Sequence, residues 1–97
     1  MDETINSAQR TIRAHLAANV KALRGKQGVS QEALASRAGL HRTYISQVER
    51  EIVNVSLDNL VLLASALGVA VGELFVEPTE PVVPLKPGRK RSVSIGK

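Results

Sequence analysis

Five residues with polar reach crowd into six positions near the middle of the chain: Arg42, Thr43, Tyr44, Ser46 and Gln47, interrupted only by Ile45. A guanidinium donates hydrogen bonds in a planar fork, a carboxamide both donates and accepts, and the three hydroxyls do either. Such a set suits recognition. Bond-breaking chemistry finds no matching constellation. There is no Ser/His/Asp set in a plausible local motif, no glycine-rich phosphate loop followed by Lys-Ser or Lys-Thr, and no carboxylate pair in an apolar setting. His15 and His41 lie 26 residues apart without a carboxylate or second histidine at metal spacing, so His41 reads as a helix-cap-position residue. With zero cysteines, disulfides, thiolate metal sites and thiol catalysis drop out together. The expectation is a protein that is not an enzyme and carries no cofactor or metal.

Hydrophobic periodicity says what must hold that segment in place. Ile5, Ala8, Ile12, Leu16, Val20 and Leu23 recur at steps of three and four, predicting a long amphipathic helix that "RGKQG" ends. Ser30 is placed to cap a second helix, Gln31 to about Ala38, which buries Leu34 and Ala35. Gly39 suits the left-handed exit, and Leu40 can tuck back into the core. A third helix, from about His41 to Arg50, has Ile45 and Val48 as inward residues, which turns Arg42, Thr43, Ser46 and Gln47 outward. Two short helices joined through a glycine make a helix-turn-helix arrangement. Ser56 caps a fourth helix in which Leu57, Leu60, Val61, Leu63, Ala64 and Leu67 are expected to be buried, with Asp58 favourably placed near its positive end. A last short helix near 70–76 carries Val71, Leu74, Phe75 and Val76, more apolar surface than one small core needs.

All four prolines fall within residues 77–97, which show no helical period and are expected to be disordered. Only Tyr44 and Phe75 are aromatic, so the core is aliphatic, in keeping with an all-α fold. No apolar run is long enough for a membrane span, and the N-terminus lacks the apolar region of a signal peptide, so a cytoplasmic, nucleoid-associated location is expected. Positive charge is localised. Lys21, Arg24, Lys26, Arg37, Arg42 and Arg50 stand against Glu32 and Glu49, a net +4 over residues 21–50. The segment 77–97 adds a net +3, from Lys86, Arg89, Lys90, Arg91 and Lys97 against Glu77 and Glu80. Both regions suit a polyanion partner, or simply form a solvated basic surface.

Ser30-Gln31-Glu32, Leu34-Ala35, Ala38-Gly39-Leu40, Tyr44-Ile45-Ser46-Gln47, Val48-Glu49-Arg50, Ala66-Leu67-Gly68-Val69 and Glu73-Leu74-Phe75 occur in order. Together they resemble the lambda-repressor-like helix-turn-helix domains of phage repressors, Cro proteins and xenobiotic-response-element-type bacterial regulators. "NVSL" is similar to the restriction–modification controllers within that group. The resemblance implies five helices over residues 16–76, with residues 1–15 extending the first helix and 77–97 as a tail. It also implies a homodimer on double-stranded operator DNA, base contacts from Arg42, Thr43, Ser46 and Gln47, and backbone contacts near Gln31, Tyr44 and Arg50, with His41 beside them. An ion pair between Arg24 and Glu49 is implied as a structural tie. The sequence departs from the family pattern at Glu51, where many members have glycine, and at Val55, where many have proline.

The residue chemistry agrees but leaves alternatives open. Arg42 can read guanine O6 and N7, contact a phosphate, or stay solvated; Gln47 matches adenine's donor–acceptor pair. Thr43 can meet a thymine methyl or a phosphate, and Ser46 can serve by being small. Gln31, at a helix start, sits where amides favour a phosphate. Tyr44 can donate to phosphate or pack over the turn. Val71, Leu74, Phe75 and Val76 form either the dimer contact or core closure. The expected function is a dimeric, sequence-specific DNA-binding transcriptional regulator, with RNA polymerase as a further contact. The rivals are an antitoxin or phage-type repressor of the same mechanism and a protein–protein adaptor on the same fold. A lone Tyr44 is no platform for stacking RNA bases.

Overall fold

The computed structural model describes residues 3–78, and every regular element among them is helical. α1 spans Glu3–Gln27, α2 Gln31–Ala38, α3 Arg42–Glu49 and α4 Leu57–Leu67. The expected fifth helix is a 3-10 helix, Val71–Phe75. The residues after position 78, where a disordered tail was expected, lie outside the described part.

α1 runs farther than its apolar pattern predicts. Gly25 weakens a helix by only about 1 kcal/mol, and tertiary bonds outweigh that. Arg24 is held from across the molecule, and the Gln27 side chain donates to the Leu67 carbonyl at 2.9 Å. The core is aliphatic: Leu16, Val20, Leu34, Ile45, Val48, Leu60, Leu63, Leu67 and Leu74 are buried together. Ser30 and Ser56 act as the expected caps, accepting from the amides of Ala33 and Asn59 at 2.9 and 3.1 Å.

Two expectations about burial are corrected. Leu57 and Val61 were placed in the core but are 78% and 56% exposed. The helix turns about 100° per residue, so the arc of Leu60, Leu63, Ala64 and Leu67 already fills the buried side. Val61 therefore falls off its edge, and Leu57 stands at the first residue of the helix. Leu74, left open between a dimer contact and core closure, has no exposed surface and closes the core. The 3-10 helix packs on α1 and α4, driving Leu74 inward, while Val71 and Phe75 are half-buried and Val76 faces out.

The four α-helices end in one way. The first residue after α1, α2 and α4, and the second after α3, adopts positive φ; its amide bonds a carbonyl three residues back, while the next amide reaches five back. The pairs are Gly28/Val29, Gly39/Leu40, Glu51/Ile52 and Gly68/Val69. Glu51, at φ 66°, fills with a Cβ-bearing residue the position glycine takes in the other three. Left-handed geometry disfavours L residues by about 1–2 kcal/mol. Glu51→Gly is therefore expected to raise stability by about 1 kcal/mol, seen as a higher urea midpoint with unchanged slope. An unchanged or lowered midpoint would show that Glu51 makes a compensating interaction.

Candidate nucleic-acid interface

The turn between α2 and α3 fixes the angle at which α3 is presented. Gly39 takes φ 73°, and the amides of Gly39 and Leu40 cap the carbonyls of Ser36 and Ala35 at 3.4 and 2.9 Å. His41 follows as the extended N-cap residue of α3, and its imidazole makes no capping hydrogen bond. α3 then packs against α2 and α1 through Ile45 and Val48, both buried.

This anchoring leaves a polar outer face. Arg42 and Thr43 are exposed, and Ser46 and Gln47 half-exposed one turn later. Tyr44 is half-buried against the core, so its ring does the packing considered for it while the residue stays on the rim. Arg50 is exposed directly after the helix. Arg42 also lines a cleft of about 680 Å³ with Gln31, Glu32, Ser30 and Val29. The structure thus brings Arg42 beside the start of α2.

Beneath the cleft runs a polar network. Arg24 donates from Nε to Glu49 Oε2 at 2.7 Å, from Nη2 to Oε1 at 3.0 Å, and from Nη1 to the Val29 carbonyl at 2.9 Å. A two-bond fork of this kind fixes orientation as well as distance. Gln31 completes it, with Nε2 donating to Glu49 Oε1 at 3.0 Å. One buried carboxylate thereby ties α1, the start of α2 and the end of α3. Sequence reasoning anticipated the ion pair but missed the glutamine. The bond uses one of the two hydrogens on Nε2, leaving the other for a ligand.

Asn19 was also missed: its Nδ2 donates to the carbonyls of Leu74 and Val76, each at 2.9 Å, holding the 3-10 helix on α1. The available signal was a polar residue set between Leu16, Val20 and Leu23 on the inward side of an amphipathic helix.

A short helix held at a fixed angle across another, its polar edge outward beside a second helix N-terminus, defines a helix-turn-helix DNA-binding domain. Comparison with known proteins agrees. The family described as Helix-turn-helix matches residues 20–74, and the chain belongs to it. It is 46% identical over 72 residues to the Neisseria hypothetical transcription factor of Neisseria meningitidis, covering 74% of this chain and 68% of that one. A crystal structure of the hypothetical transcription factor NHTF from Neisseria is similar with a TM-score of 0.67 at 48% identity, covering 69% of this chain and 77% of that one. The control protein C.SmaI of Serratia marcescens is 49% identical over 64 residues, covering 66% and 76%. The restriction–modification controller C.AhdI from Aeromonas hydrophila gives a TM-score of 0.63 at 43% identity, covering 65% and 96%. These relatives are regulators rather than enzymes. No helix among the described residues is long and apolar enough to cross a membrane.

Proposed function

We propose that the protein is a homodimeric transcriptional regulator that reads a roughly palindromic operator, with α3 in the major groove of each half-site. The observation that carries this reading is the outward edge of α3: Arg42, Thr43, Ser46 and Gln47 are accessible over an anchor of Ile45 and Val48. Arg42 and Gln47 read base edges, Thr43 contacts a base or its phosphate, and Ser46 permits close approach. Gln31, Tyr44, His41 and Arg50 flank this edge and position it on the backbone. The similarity to restriction–modification control proteins favours control of such a system as the biological setting.

Dimerisation follows from the geometry of reading. Two recognition helices address successive major grooves about 34 Å apart, and a two-fold pair needs a self-complementary patch. Leu57 and Val61, one turn apart on the exposed side of α4, supply such a patch in place of the buried Leu74. Val76, also exposed, remains a candidate from the original set, and Val71 and Phe75 keep partial exposure.

The test begins with selection of bound sequences from a random duplex library. On the selected site, Arg42→Ala is expected to weaken binding by about 1–3 kcal/mol and to relax preference at one base pair. Fluorescence anisotropy against the selected site and its single-base variants reads both effects. Unchanged specific binding would remove Arg42 from the reading edge. The adaptor reading predicts that no sequence is enriched.

A further inference from the structure

Glu51 breaks two local rules at once. Its backbone takes the left-handed form at φ 66°, a geometry the chain gives to glycine after each of the other three helices. Its carboxylate also stands just past the C-terminal end of α3, where the helix dipole favours a cation. The residue is exposed, and among the described residues no hydrogen bond or ion pair to its side chain offsets these penalties. A residue that is locally unfavourable and unsupported inside the fold is a candidate for a role outside it. The turn fixes where it lies. The Ile52 amide donates to the Gln47 carbonyl and the Glu51 amide to that of Val48, each at 3.1 Å, so residues 51–52 fold back over the last turn of α3. Glu51 is thus one turn from Gln47 of the reading edge and next to the exposed Arg50. Glu49, the other acidic residue here, is neutralised by Arg24, which leaves Glu51 as the uncompensated carboxylate at this end of the helix.

We propose that Glu51 is an electrostatic brake on duplex binding, its carboxylate repelling the phosphates that Arg50 attracts. The inference rests on the reading of α3 as the helix that meets DNA. Phosphate repulsion is blind to sequence, because every duplex presents the same charged backbone. Glu51 therefore lowers affinity for the operator and for random duplex by the same factor. It sets how tightly the dimer holds DNA, not where. A regulator weakened in this way leaves nonspecific DNA more readily, while its base contacts keep their full discrimination.

Glu51→Gln removes the charge while keeping the side chain's size and the left-handed backbone, so its urea midpoint should not fall. If each protomer regains about one phosphate contact, the variant's gain in affinity should be about tenfold larger at about 50 mM salt than at about 200 mM. That gain should be equal on the selected site and on random duplex. Glu51→Gly should gain equally, since it too lacks the charge, and Glu51→Asp should gain nothing. Anisotropy titrations of the wild type and the three variants, on both duplexes at both salt concentrations, read these outcomes. No gain in Glu51→Gln, a loss, a gain that ignores salt, or a gain confined to one duplex would overturn the proposal. So would a gain limited to Glu51→Gly, which would trace to backbone release. Failure of the wild type to bind either duplex would instead remove the regulator reading, and this inference with it.

Discussion

Arg24→Ala is expected to cost about 3–5 kcal/mol of folding stability, more than the removal of any surface charge. The reason lies in what would remain. The Glu49 side chain is 5% exposed and that of Arg24 17%, so removing the arginine strands the more deeply buried charge. Gln31 Nε2 would stay as its side-chain donor, a neutral group that cannot offset an ion. Glu49→Ala should cost less than Arg24→Ala, because the arginine keeps its bond to the Val29 carbonyl and part of its contact with water. The double replacement Arg24→Met/Glu49→Leu should recover much of the loss, since an apolar pair needs no desolvation of charge. Urea denaturation of the three variants reads the order. If Glu49→Ala proves the more damaging single change, or the double variant equals the sum of the singles, the pair is not coupled as the geometry requires.

The second large effect is on DNA affinity. A dimer placing about three phosphate contacts per protomer should lose about 10³-fold in affinity between about 50 and 200 mM salt, through release of condensed counterions. The sign is fixed by chemistry: each neutralised phosphate frees a cation into solution, so added salt opposes binding. Random duplex should show a slope close to that of the selected site, because backbone contacts dominate nonspecific binding. Leu57→Lys/Val61→Lys, which charges the exposed side of α4, should roughly halve the slope if it separates the protomers. Anisotropy titrations across salt measure this. A slope near zero would exclude a phosphate-tracking interface and favour the adaptor reading.

Much of this was legible in the residues because it is local. The steps of three and four in α1, the serines before α2 and α4, and Gly39 are signals spanning a few positions, and helices obey them. The outward edge of α3 was equally legible, because Ile45 and Val48 determine where their neighbours point. What the sequence left unread depends on elements meeting across the molecule. Leu57, Val61 and Leu74 are all aliphatic, and only the packing of α4 and the 3-10 helix decides which of them meets water. The Gln31–Glu49 bond and the Asn19 tie join residues 18 and at least 55 positions apart, with no spacing rule to announce them. Glu51 is a different case: its left-handed backbone could be foreseen from the glycine many relatives carry, while the residue itself argued against it.

Tyr44 has a spectroscopic consequence. The chain has one tyrosine and no tryptophan, so near-ultraviolet emission arises almost wholly from a phenol ring on α3, half-shielded by the core. Docking of a duplex against that ring would alter its quantum yield with no dye attached, making the native protein its own optical sensor of occupancy.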